Sequence, residues 1–239
     1  MIITFLLYPL GLMPSLIWLL FYLRKDKHPE PNRMVLRVFF LGAMAGFFAI
    51  LLEKGFQSAT ENVFLASFAL DSFLAIFLGG ALIEEIVKAL AAKIGTFHSK
   101  ELDEPIDLIL YMIISALGFA ALENILVLSN FHPVLNASKA FQLMFWRFIS
   151  ATFLHALVSG IWGCFMVFGA LKSKMRYFYF VAGLLIASLL HGLYNFAIMN
   201  LTGLPRFLVP ASLLLISAIF VSLSIKRIKK YKSVCNLYL

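Results

Sequence analysis

An all-α bundle embedded in a membrane is the fold class this sequence predicts. Three observations predict it. Of 239 residues, 62% are apolar and 13% are charged, against about 25% charged in an ordinary soluble domain. The apolar residues fall into runs close to the roughly 20 residues that a helix needs to cross a bilayer. The charged residues collect mainly between those runs.

In chain order, about seven spans are expected, at 2–23, 35–52, 73–94, 106–128, 147–170, 177–199 and 206–225. The first is apolar from Ile2 with no basic residue before it, which reads as a retained span and not a cleaved leader. His28-Pro29-Glu30-Pro31-Asn32 is a proline-broken turn. Residues 53–71 include Glu53, Lys54, Gln57, Ser58, Thr60, Glu61, Asn62 and Asp71. That is too polar to span, so an outside loop with a short interfacial helix near 63–70 is expected. Asp103-Glu104-Pro105 ends the third loop, and Pro105 suits the start of a helix. Asp107 then lies in a first turn, where the helix dipole favours an acid. Ser115, Gly118, Ala120 and Ala121, then Ser159, Gly160 and Gly163, then Gly183, Ala187 and Gly192 supply small faces. They predict that spans four to six pack closely with span three. No internal repeat or second domain is visible, so residues 1–239 read as one membrane domain with a core at about 73–199.

Charge sets the orientation. Fifteen of the 20 Lys and Arg residues fall around the first, third and fifth connections and in the tail. By the positive-inside rule the N-terminus is outside and the C-terminus cytoplasmic, which requires an odd number of spans. The net charge of +8 therefore belongs to loops and offers no nucleic-acid-binding face. Cys164 falls in a span and Cys235 in the tail, so no disulfide framework is expected.

The exceptions to apolarity are informative. Gly79-Gly80-Ala81-Leu82-Ile83-Glu84-Glu85-Ile86-Val87-Lys88 puts two acids and a lysine inside the third run. One ionisable group at mid-bilayer costs roughly 2.5–3.5 kcal/mol on insertion scales, so such groups are usually functional. Lys88 can reach either acid along the helix. Adjacent residues diverge by about 100°, so Glu84 and Glu85 are expected not to share a partner, one facing a reaction centre while the other holds a neighbouring helix or the lysine. Span four carries Glu123-Asn124, span five His155, and span six His191 with Asn195 one turn later. Spans one, two and seven carry no comparable set. The four spans are expected to converge on one cavity in the outer half of the bilayer.

That set suits amide hydrolysis without a serine or cysteine nucleophile. A desolvated carboxylate can activate water, a histidine can protonate a leaving amine, and a His–Asn pair can hydrogen-bond an oxyanion. Glu84 or Glu85 is the expected base, with Glu123, His155 and His191 completing the catalytic set and Lys88, Asn124 and Asn195 supporting it. On this reading no cofactor is required. Metal-assisted chemistry stays open, with Glu85, His155 and His191 as candidate ligands for Zn²⁺ or another divalent metal. Ser159, one turn after His155, lacks a nucleophile setting.

Glu84-Glu85-x-x-Lys88, Phe119-x-x-x-Glu123, His155 and His191-x-x-x-Asn195, in this order on successive spans, resemble the PrsW intramembrane proteases. The segment from Asp103 to Asn124 is similar to that family as well. The family is related to type II CAAX prenyl endopeptidases and Abi proteins. The resemblance implies cleavage of a single-span membrane protein, such as an anti-sigma factor, near its outer side in a bacterial plasma membrane. Asn195 departs from the Asp frequent in that family, Glu123 stands where CAAX relatives have His, and Leu108 replaces an expected Gly. Two rival readings remain: a proton-coupled transporter or channel using the acids and histidines as a relay, and a CAAX- or Abi-like protease with another substrate.

Overall fold

The computed structural model describes residues 2–26, 28–62, 73–96, 99, 102–131 and 136–230. Among these, α-helices form nine segments and no strand occurs. They are α1 (Ile2–Leu23), α2 (Asn32–Asn62), α3 (Phe73–Ile76), α4 (Leu82–Thr96), α5 (Pro105–Phe131), α6 (Ala137–Ile149), α7 (Ala151–Leu171), α8 (Arg176–Asn200) and α9 (Pro205–Ile228). Five helical stretches are long and apolar enough to cross a membrane: Asn32–Thr60, Pro105–Asn130, Ala137–Leu171, Arg176–Asn200 and Pro205–Ile228. Tyr8–Leu23 is apolar but shorter.

The bundle is built around α5. Every residue from Pro105 to Ala121 is buried, as expected of a helix that is apolar on all sides. Its start is fixed locally. Pro105 opens it, and the Asp107 carboxylate accepts from the backbone N–H of Asp103 (3.1 Å) and Glu104 (2.6 Å). Helices α1, α2 and α7 pack around it, and α8 packs on α7. Glycine sets the spacing to α2. A Cβ on Gly118 would lie 1.9 Å from the Phe39 carbonyl oxygen, and one on Gly42 2.0 Å from that of Ser115. Where lipid removes the hydrophobic drive between helices, such backbone approach supplies the packing. Gly118 therefore serves α2, a partner the sequence reading did not give it, while the Ser115 hydroxyl reaches α4 and donates to the Lys88 carbonyl at 2.7 Å.

Three elements differ from expectation. First, residues 53–62 continue α2 and are not a loop. Their polar residues share the helix with an apolar face, so composition alone misplaced them. The expected helix at 63–70, Asp71 and Cys235 lie outside the described residues. Second, the third span is not one regular helix. A π-helical turn at Phe77–Ala81 joins α3 to α4, and single π turns often mark functional sites. Third, the expected span at 147–170 begins earlier and is broken. Helix α6 is capped by the Asn136 side chain, which accepts from the Lys139 N–H at 2.9 Å. The chain then turns at Ser150 (φ −123°, ψ −90°) into α7. The Phe148 carbonyl at that break accepts from the Trp18 indole N–H at 2.8 Å. Gly203, at φ 63°, turns the chain from α8 into α9 as a residue without Cβ can. Cys164 is buried as a free thiol.

Candidate active site

Glu84 and Glu85 lie just after the π turn, in the first turn of α4. Lys88 follows one turn later and is fully buried. Its Nζ donates to Glu84 Oε2 (3.1 Å) and Glu85 Oε1 (2.8 Å), and lies 4.4 Å from the centre of the Phe119 ring. Both acids therefore meet one partner, contrary to the expectation drawn from their divergence of about 100° on the helix. The lysine stem is long enough to sit between them.

The two acids have different surroundings. Glu85 is completely buried. Its Oε2 accepts from the Ser159 hydroxyl (2.7 Å) on α7, and its Oε1 faces His191 Nδ1 (2.9 Å) on α8. With Lys88, three neighbouring groups thus share one carboxylate, and it ties α4 to both helices. Glu84 retains 15% side-chain exposure. It lines a cavity of about 240 Å³ together with Glu123, Arg147, His155, His191 and Asn195. That is room for several waters. Glu84 and Glu123 also border a second cavity, of about 130 Å³, shared with Glu53 of α2.

Each imidazole is held by a carboxylate. His155 Nε2 lies 2.8 Å from Glu123 Oε2, and His191 Nδ1 lies against Glu85. An ionised carboxylate only accepts, so those ring nitrogens carry the protons. The other two nitrogens lie near Glu84 Oε2 but beyond hydrogen-bond distance of it, His155 Nδ1 at 3.9 Å and His191 Nε2 at 3.7 Å. The rings stand nearly perpendicular, centroids 5.0 Å apart. Glu123 is itself held by Arg147 of α6 (Nη2 to Oε1, 3.1 Å). Arg147 Nε also donates to Asn124 Oδ1 (2.5 Å), and Asn124 Nδ2 donates to Thr152 Oγ1 (3.1 Å).

Glu84, His155 and His191 together could hold a divalent cation. One ligand atom from each of Glu84, His155 and His191 lies within 4.8 Å of the others. Each imidazole gives its second N–H to a carboxylate, the arrangement that orients histidine ligands. With neutral imidazoles, Glu84, Glu85 and Glu123 face only Lys88 and Arg147, which leaves negative charge for a cation to balance. The set contains Glu84 in place of the expected Glu85, because both Glu85 oxygens are engaged behind His191. Lys88 Nζ already lies 2.9 Å from His155 Nδ1, so it contacts a lone pair that a metal would use. A second trio, Asp26, Glu30 and Asp107, lies at the far end of α5. There the Tyr111 hydroxyl donates to Glu30 and backbone N–H groups serve Asp107.

The sequence pattern described as PrsW family intramembrane metalloprotease matches residues 30–223. The chain belongs to the PrsW family. It is 32% identical over 204 residues to Protease PrsW of Bacillus subtilis (strain 168), covering 84% of this chain and 86% of that protein. It is 32% identical over 179 residues to Protease PrsW of Geobacillus kaustophilus (strain HTA426), 75% of this chain and 73% of the relative. Protease PrsW of Clostridioides difficile (strain 630) is 30% identical over 203 residues, 81% of this chain and 79% of the relative. No solved structure matches.

Within this PrsW-family chain, Glu84, Glu85, Lys88, Glu123, His155 and His191 form one connected cluster. Asn124 stands behind it on Arg147. Asn195 lines the cavity and makes no hydrogen bond among the described residues. Ser159 serves Glu85. Arg147 and Glu53 were not singled out as site residues from sequence. Arg147 offered the signal of a lone cation beside Trp146 on an amphipathic stretch. Glu53 offered its spacing from Ile50 and Gln57 along one helix face.

Proposed function

We propose that this chain is an intramembrane endopeptidase whose reaction centre is Glu84, His155 and His191. One observation supports it most: two imidazoles, each hydrogen-bonded to a carboxylate, bring their second nitrogens to 3.7 and 3.9 Å from one oxygen of a third carboxylate at a cavity wall. Glu84, His155 and His191 would hold a divalent metal, in keeping with the word metalloprotease in the family description. Bound there, it would polarise a peptide carbonyl and acidify water. Glu123 and Glu85 fix the imidazole tautomers. Arg147 balances Glu123, and Lys88 balances Glu84 and Glu85. Asn195, with its amide free toward the cavity, is placed to bind the peptide carbonyl.

A metal-free reading is favoured by a different observation, the Lys88 ammonium on Glu84 and His155. Glu84 then takes the proton of a cavity water, and an imidazole returns it to the leaving amine. Residues 1–239 act as one domain in a bacterial plasma membrane in either case. The chain crosses it seven times, with the N-terminus outside. Supporting this, Glu84 and His191 lie at the opposite end of α4 and α8 from Lys93 and Arg176. His191 is fifteen residues beyond Arg176, about 22 Å along the helix. The substrate is a single-span membrane protein cut near its outer side, an anti-sigma factor being the case the resemblance implies.

The test is cleavage of a single-span substrate in proteoliposomes, with metal content measured on the same protein. His191→Ala and His155→Ala should each cut at least about 100-fold more slowly. Chelation that abolishes cleavage, with recovery on adding Zn²⁺, assigns the metal reading. Full activity in chelator with no bound metal assigns the glutamate reading. Unimpaired histidine variants would remove both.

A further inference from the structure

At the end of the bundle away from Glu84, helices α4 and α8 part. The gap is a groove of about 730 Å³. Its walls are apolar, including Ile86 and Leu90 of α4, Trp162 and Met166 of α7, and Phe180 and Leu184 of α8. Its rim is not apolar. Lys93, near the end of α4, Lys174, just before α8, and Arg176, at the start of α8, all line it, and no acidic residue among the described residues does. Lys93 and Lys174 are exposed and make no ion pair among the described residues. Two basic connections far apart in sequence are thus folded onto one end of one apolar groove.

We propose that this groove is a binding site for one anionic phospholipid, its acyl chains against Ile86, Leu90 and Phe180 and its phosphate between Lys93, Lys174 and Arg176. Charge complementarity decides the occupant. Basic pockets between membrane helices recruit anionic headgroups, each Lys or Arg near the surface contributing about 1 kcal/mol. A substrate helix fits less well. Ile86 points about 200° around α4 from Glu84, so the groove faces away from the reaction centre. Nor would an apolar helix need cations at one end only. The inference needs the chain to sit in a membrane. It does not need Glu84 to be catalytic, so the two can fail separately.

The test titrates delipidated full-length protein in detergent with phosphatidylglycerol or phosphatidylcholine, reading lipid retention by native mass spectrometry and Tm. Phosphatidylglycerol should be retained at one copy and raise Tm, and phosphatidylcholine should do neither at equal concentration. K93Q/K174Q should weaken phosphatidylglycerol binding roughly 10–30-fold. Ala89→Trp, which fills the groove wall, should abolish it while leaving the rim charge intact. Equal effects of the two lipids, or undiminished binding by K93Q/K174Q, overturn the proposal. A photoreactive side chain at Leu90 provides a readout in native membranes that needs no disruptive variant. Crosslinks to phospholipid support the proposal, and crosslinks to protein overturn it in favour of a docked helix.

Discussion

Replacing Lys88 by methionine isolates what holds the cluster together. Met matches the lysine stem and deletes the ammonium. The variant loses the contacts to Glu84, Glu85 and His155 and the one over Phe119. Glu84 can turn to its cavity. Glu85, with no exposed surface, keeps only Ser159 and His191. Removing one partner of a buried ion pair costs about 3–5 kcal/mol. At about 2–4 °C per kcal/mol for a chain of this size, Tm should fall by roughly 10 °C. The assay is thermal unfolding in detergent, followed by circular dichroism. K88M/E85Q removes both charges and keeps both shapes, so it should melt above K88M and within about 4 °C of wild type, since a buried pair replaced as a unit is close to neutral. K88M melting within about 2 °C of wild type would refute the reasoning. So would a double variant that melts no higher than the single.

Arg147→Ala should slow cleavage roughly 10–100-fold by releasing Glu123 from its hold on His155; steady-state kinetics with Arg147→Lys alongside should show partial recovery. Ser159→Ala should keep most of its activity while losing about 1.5–3 kcal/mol of stability with its bond to the buried Glu85 carboxylate, whereas total inactivation with unchanged Tm would contradict this supporting role. Gly118→Leu drives a side chain into the Phe39 carbonyl and should give a chain that no longer folds or that melts far below wild type, checked by size-exclusion elution and Tm.

The helical class was legible because ionisable residues are scarce enough to delimit apolar runs. The candidate cluster was legible for the same reason inverted. Glu84, Glu85, Lys88, Glu123, His155 and His191 stand out where charge is costly. What stayed hidden depended on tertiary placement. Sequence sets Glu84 and Glu85 about 100° apart, but only the positions of α7 and α8 decide that Glu85 is enclosed and Glu84 borders the cavity. Arg147 was hidden because nothing in Trp146-Arg147-Phe148-Ile149-Ser150 forbids a continuous helix. The break at Ser150 swings α6 back over Glu123, and its open carbonyl is answered by distant Trp18. Glu53 was hidden because a polar stretch at a span's end reads as loop until α2 is seen to run on to Asn62.

The most direct measurement is the cleavage rate of Glu84→Gln beside wild type, in proteoliposomes carrying one single-span substrate. Glutamine keeps the shape and the exposed position but can neither take a proton nor bind a cation as an anion. The account predicts a rate at least about 100-fold lower, with helical content unchanged. Cleavage by Glu84→Gln at the wild-type rate would contradict it.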